Sequence, residues 1–230
     1  MTENKRAVQI ISGGLDSTTL LYYLLDKKYD VTALSFNYGQ KHIKELLQAK
    51  KITSDLDITH YIIDMSDIKE LLSKSALTGD IVVPEVPEIA EHYETLKQTV
   101  VPNRNAIMLS IAYANAINIG ADIVAYGAHF SDRDVYPDCR IEFVKMLNDA
   151  FNEGNWSKRS DNTKPEIIAP FINMQKSEIV RIGNKLKVPF QETWSCYKGE
   201  DVQCGVCSSC RERKRAFKEA EVIDPTIYKE

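Results

Sequence analysis

The sequence predicts an α/β chain: an open parallel sheet with helices on both faces, ending in a small cysteine knuckle. Three observations carry this. Short apolar runs alternate with segments of helical period, a glycine bend follows the first of those runs, and four of the five cysteines crowd between Cys196 and Cys210. Strands separated by helices pair in parallel, because a parallel neighbour needs a long crossover, and such a sheet is covered on both faces.

Taken in order, Val8-Gln9-Ile10-Ile11 is an apolar run that stops at Ser12-Gly13-Gly14, and Asp16-Ser17-Thr18 opens a helix carrying Leu20, Leu21, Leu24 and Leu25. Val31 to Phe36 reads as a second strand, residues 41–56 as a helix and Tyr61-Ile62-Ile63 as a third strand. The stretch 73–98 holds Gly79, Pro84 and Pro87 without a period, and reads as a long loop. After Pro102-Asn103-Arg104-Asn105 a helix runs through Met108, Leu109, Ala112 and Ala116, and Ile123-Val124-Ala125 is a strand ending at Gly127. A helix follows Asp138, Ile167-Ile168 is a strand, and a helix covers 175–186. From Pro189 the pattern turns to short polar stretches and cysteines, with a last helix from about Arg211 to Glu221. The expected division is therefore a main domain over 1–188 and an appended metal segment over 189–230.

Composition narrows the function. A chain of 230 residues with 43% hydrophobic content builds a core without disulfides. Its 29 Lys and Arg against 33 Asp and Glu give a net charge of -4, so no global field draws it to nucleic acid. The basic run Arg211, Arg213, Lys214, Arg215 and Lys218 reads as the solvated face of a helix. No apolar stretch is long enough for a membrane span, and none near the N-terminus reads as a signal peptide. The expectation is a cytoplasmic protein, where thiols stay reduced and clustered cysteines read as metal ligands.

In Ser12-Gly13-Gly14-Leu15-Asp16-Ser17 the glycines bring bare N–H groups against an anion, and the following helix points its positive end at the same place. Asp16 beside phosphates calls for Mg²⁺ between them. The plainer reading is a strand-to-helix turn with Ser17 or Asp16 as N-cap. The pattern is neither a Walker A loop nor a dinucleotide fingerprint. It resembles the SGGxDS signature of the PP-loop ATP pyrophosphatases. That resemblance implies an adenine nucleotide alpha hydrolase-like, Rossmann-like fold over 1–188, ATP as co-substrate, and pyrophosphate as product. It assigns Ser12, Gly13, Gly14, Leu15, Asp16 and Ser17 to the phosphates. Lys176, at the start of a late helix, resembles the family's second phosphate contact, so Asp16, Ser17 and Lys176 are the expected catalytic residues; otherwise Lys176 is an exposed helix lysine.

Cys196, Cys204, Cys207 and Cys210 form C-x7-C-x2-C-x2-C, and four thiolates suit one tetrahedral, structural Zn²⁺. An iron–sulfur cluster uses the same residues. Cys139 stands alone and reads as structural.

Arg104 in Val101-Pro102-Asn103-Arg104-Asn105 is placed to meet a phosphate or carboxylate, unless Asn103 or Asn105 is simply a cap. Gly127-Ala128-His129-Phe130-Ser131-Asp132 follows a strand where ligands of open sheets sit, and His129 alone reads as a structural donor. Tyr136-Pro137-Asp138-Cys139-Arg140 suits a purine-like ring, or else starts a helix with Asp138 as N-cap. With SGGLDS, Lys176-Ser177-Glu178-Ile179 and WSC-x7-C-x2-C-x2-C, these motifs in this order resemble the queuosine-precursor branch of the same family. The resemblance implies an ATP-dependent ligase that turns 7-carboxy-7-deazaguanine and ammonia into the nitrile, and a homodimer. Asp132, Asp138 and Arg140 are then expected at the ring, with Arg104 near phosphate or carboxylate. Two alternatives stand beside it: a tRNA-thiolating or tRNA-ligating PP-loop enzyme with sulfur on Cys139, and a non-catalytic zinc-knuckle interaction module.

Overall fold

The computed structural model describes residues 5–40, 43–68, 100–159, 161–198 and 201–229. The loop expected over 73–98 lies outside these. Strands β1 (Arg6–Ile10), β2 (Asp30–Asn37), β3 (Thr59–Asp64), β4 (Ile123–Ala125) and β5 (Glu166–Ile168) form one sheet in the order β3-β2-β1-β4-β5, every pair parallel. The described helices are α1 (Leu15–Asp26), α2 (Ile43–Asp55), α3 (Arg104–Ile119), α4 (Ile141–Gly154), α5 (Lys176–Lys185) and α6 (Ser208–Ala220).

Residues of one strand alternate between the two faces of the sheet; both faces are buried along β1, β2 and β4, while β3 at the edge exposes Tyr61 and Ile62. Ala7, Ala33 and Ile123 join Leu20, Leu21, Ile52, Ile179 and Phe217 from α1, α2, α5 and α6. Their neighbours Val8, Leu34 and Val124 turn the other way, against Leu109, Tyr113 and Val144 from α3 and α4. This is why the central strands read as apolar runs broken only by buried polar residues such as Gln9 and Ser35. The chain runs outward from β1 to β2 and β3, then returns to place β4 on the other side of β1. Strand order thus reverses at β1 and β4, which opens a crevice beyond their C-terminal ends.

The helix starts differ from expectation. Gly14, in extended conformation, is the N-cap of α1, so Asp16 and Ser17 lie inside its first turn rather than capping it. Asn103 occupies the N-cap of α3 with φ 55° but makes no side-chain cap bond. Pro137–Cys139 form a single 3-10 turn, which moves the N-cap of α4 from Asp138 to Arg140. Helix α6 starts at Ser208 instead of about Arg211, and its first turn carries Cys210.

The segment after residue 188 shares the main core. Phe190, Ala216, Phe217 and Ala220 are buried with α1 and α5, and the rings of Phe190 and Phe217 meet edge-on at 5.0 Å. The basic run of α6 is not all solvated either. Arg213 is fully buried, donating to Thr193 Oγ1 at 2.7 Å and to the Phe190 carbonyl at 2.9 Å, and pairing with Asp224 at 3.3 Å. It falls on the stripe of Ala216, Phe217 and Ala220, one and two turns along. Among the described residues no helix is long and apolar enough to cross a membrane.

Candidate active site

Beyond β1 and β4 lies a cavity of about 280 Å³. Its floor is the glycine loop. Gly13 has φ 87°, and a Cβ there would stand 2.2 Å from the Glu45 carbonyl oxygen and 2.7 Å from the Ala49 nitrogen of α2. Only glycine fits both the conformation and the approach. Ser12 Oγ lies 3.0 Å from Ser17 Oγ and accepts the Gly14 N–H at 3.2 Å, which holds the bend closed. Beneath it, buried Gln9 donates to the Ser17 carbonyl at 2.7 Å. The side chain of Leu15 is packed in the core, 1% exposed, so its backbone is what it offers the cavity. The first N–H groups of α1 have no acceptor within the helix, and face where an anion would sit. The β4 side is equally tight, since a Cβ on Gly127 would approach the Ser17 nitrogen at 3.3 Å.

Lys176 closes this polar end. It is buried, with Nζ 3.2 Å from Asp16 Oδ2 and 2.8 Å from Glu212 Oε2, so it is not the exposed helix lysine. Burial pulls its pKa down, but Asp16, Glu212 and Asp132 outweigh burial and hold the ammonium above its ordinary value. His129 Nε2 lies 3.3 Å from Asp132 Oδ2 and 3.7 Å from Asp16 Oδ2. Burial lifts the Asp132 carboxyl to about 6, against the opposing pull of His129. Asp16 Oδ1 and His129 Nδ1 are buried without a hydrogen-bond partner among the described residues, so His129 is not the satisfied structural donor its isolation in the sequence suggests. An orphaned carboxylate oxygen beside a loop of free N–H groups fits a divalent cation.

The opposite wall mixes aromatics with charge. Arg104 donates to Tyr38 Oη at 3.4 Å and sits 5.9 Å from the centre of that ring. Glu45 and Tyr136 line the same side. Burial raises the Glu45 carboxyl to about 7, against the attraction of Arg104 and Lys176. Of the residues expected at the ring, Asp132 lines the cavity. Asp138 stands behind the wall, 4.0 Å from Cys139 Sγ. Arg140 is exposed at the start of α4 and donates to the Arg133 carbonyl at 2.8 Å, because the 3-10 turn before it directs it outward. Cys139 is buried, and burial together with Asp132 and Asp138 raises its thiol pKa.

The four remaining cysteines are buried, with their sulfurs all within 4.8 Å of one another. Tetrahedral ligands at ~2.3 Å from zinc would stand ~3.8 Å apart; Cys204 and Cys210 are at 4.0 Å. Backbone N–H groups of Cys204 and Lys198 point at Cys196 Sγ at 3.3 and 3.4 Å, as favours a thiolate. The set fits one metal ion. Its sequence neighbours build the cavity: Trp194, Ser195 and Tyr197 flank Cys196, and Ser209 and Glu212 flank Cys210. Glu45, Glu212 and the residues around Cys196 were not read from the sequence as site residues; their role follows from where the cysteines and α2 bring them.

Comparison with known proteins shows what the chain resembles. Residues 6–221 match the family model described as queuosine biosynthesis protein QueC. A 7-cyano-7-deazaguanine synthase of Archaeoglobus fulgidus is 49% identical over 226 residues, spanning 98% of this chain and 91% of the relative. One from Caldicellulosiruptor bescii is 47% identical over 225 residues, spanning 97% of each. The solved structure of NMN synthetase from Francisella tularensis superposes with a TM-score of 0.52 at 16% identity, covering 96% of this chain and 79% of that one, a likeness of fold alone.

Proposed function

Because the chain belongs to the queuosine biosynthesis protein QueC family, we propose that it converts 7-carboxy-7-deazaguanine and ammonia into 7-cyano-7-deazaguanine, using two ATP and releasing AMP and pyrophosphate at each activation. The observation that carries this reading is one cavity bounded at one end by the glycine loop and Lys176, and at the other by Arg104 and aromatic rings. A triphosphate and a flat anionic ring need those two ends.

A carboxylate is a poor electrophile. Its oxygen attacks the α-phosphorus of ATP, pyrophosphate leaves, and ammonia displaces AMP from the acyl-adenylate to give the amide. The amide oxygen is adenylated in turn, and loss of AMP with the nitrogen's protons leaves the nitrile. Both activations use one cradle. Ser12, Gly13, Gly14, Leu15 and Ser17 hold the phosphates through backbone N–H groups and hydroxyls, and Lys176 takes charge developing on the departing pyrophosphate. Asp16 is the residue that would hold Mg²⁺, which when bound neutralises phosphate charge. Arg104 steadies the substrate carboxylate.

The cysteine set suits Zn²⁺ in a closed structural site, where it fastens Trp194–Tyr197 and α6 to the cavity. Cys139 takes no part: a buried thiol with a raised pKa is a weak nucleophile, so Cys139→Ala is expected to keep kcat/KM. Nothing favours tRNA as substrate. A cytoplasmic homodimer completes the proposal, and sedimentation at twice the 26.1 kDa chain mass tests the dimer.

The deciding experiment follows the products from purified protein, ATP, Mg²⁺, ammonium and the acid by mass spectrometry. Nitrile with two AMP for each is expected. ADP and orthophosphate as the only spent nucleotide products, or pyrophosphate release that needs added tRNA, would overturn the reading.

A further inference from the structure

Four carboxylates line the cavity: Asp16, Glu45, Asp132 and Glu212. Three are engaged. Asp16 and Glu212 share Lys176 at 3.2 and 2.8 Å, and Asp132 faces His129 at 3.3 Å. Glu45 stands apart. Among the described residues it has no ion-pair or hydrogen-bond partner for its carboxylate, although Arg104 acts on it electrostatically. Arg104 is similarly uncommitted, with one long bond of 3.4 Å to Tyr38 Oη and no ion pair among the described residues. An acceptor pair and a donor fork therefore sit near each other, unbonded, facing an aromatic-lined space.

The substrate proposed above presents the complement. Along one edge of its six-membered ring run an oxygen acceptor at C6, an N1–H donor and a 2-amino donor, and its carboxylate lies beside the C6 oxygen. A carboxylate accepts two parallel N–H bonds, and a guanidinium donates to two oxygens. Resting on that reading of the function, we propose that Glu45 is the ring-reading residue, accepting N1–H and the 2-amino group, while Arg104 donates to the C6 oxygen and the adjacent carboxylate.

Geometry and chemistry agree in two further respects. Glu45 projects from α2, whose backbone touches the phosphate loop at Gly13, so the bound ring is brought to the end of the cavity where the nucleotide is activated. The carboxyl's raised pKa is the cost of holding an unpaired acid in a closed site, and two N–H donors arriving together would relieve it. Asp138 and Arg140, outside the wall, are not needed for the ring.

The test is a cycle of two deletions. Binding of 7-carboxy-7-deazaguanine and of its analogue lacking the 2-amino group is titrated without ATP, in the natural chain and in Glu45→Gln, whose folding is checked by circular dichroism. A site built to bond an amine rejects a ligand without it, so the natural chain should bind the analogue about 100-fold more weakly. In Glu45→Gln the acid should lose a similar factor while the analogue changes little, and KM for ATP should stay the same. Undiminished discrimination by Glu45→Gln, or a rise confined to KM for ATP, would overturn the assignment. Nitrile formation by the natural chain without the expected coupling sinks this inference alone. Coupling without nitrile sinks the proposed reaction and leaves the ring-reading intact.

Discussion

Lys176 and Glu45 mark the limits of reading single residues. The place of Lys176 beside the glycine loop was legible because that loop is a contiguous hexapeptide and the segment around the lysine has a recognisable form. Its partner Glu212 was not, since it lies in a run of basic residues and enters the site only because Cys210, two residues earlier, fixes the start of α6. Lys176→Met should lower kcat/KM by roughly 10² to 10³, the usual loss when one donor to developing charge is removed, with kcat affected more than KM for the deazaguanine acid. Steady-state kinetics with each substrate varied reads this directly. Glu45 makes a prediction on stability. Its carboxyl is raised from 4.5 to about 7 in the folded chain, so between those values the folded state holds a proton that the unfolded state has released. The empty protein therefore loses stability as pH rises through that window and stays lower above it. Glu45→Gln removes the penalty. The variant should be more stable at pH 8 by on the order of 1–3 kcal/mol, seen as a Tm higher by a few degrees, and the difference should vanish below about pH 4.

At the scale of elements, strands and helices followed from their patterns because the central strands are buried on both faces and the helices on one. The ends of helices did not, because tertiary demands set them. Gly14 takes the cap of α1 where a serine or aspartate was expected, since the loop keeps its hydroxyls and carboxylate for the cavity. Arg213 was hidden among charges although its spacing to Ala216, Phe217 and Ala220 repeats an apolar stripe. The bend between β1 and α1 yields the sharpest test. Gly13→Ala adds a methyl 2.2 Å from a backbone oxygen at a left-handed φ, and the left-handed conformation alone costs about 1–2 kcal/mol. The loop must lift away from α2. A displacement of ~1 Å at the cradle is expected to cost ~100-fold in activity, while far-ultraviolet circular dichroism stays unchanged. Full activity in this variant would show that the bend does not need its present path.

For the whole molecule, the α/β class and the strand sequence were legible, while the expected division at 188/189 left unread the core that residues on both sides of it share. Cysteine-rich composition marks a metal segment but says nothing of what it packs on; here Phe190, Ala216 and Phe217 complete the core beneath α1 and α5. A chain ending at residue 188 should accordingly lack a cooperative thermal transition in calorimetry, and a sharp transition in that fragment would restore the two-part view. The contact of Gly13 with α2 reaches furthest. The same Glu45 whose main chain stands against the Gly13 bend also lines the chamber with its side chain. Occupancy at either end stiffens one shared strut, and linkage requires that the favour be returned in equal measure. Heterotropic synergy follows: the acid should bind several-fold tighter once an unreactive nucleotide analogue is seated, and the nucleotide several-fold tighter once the acid is, as calorimetric titrations in both orders can establish.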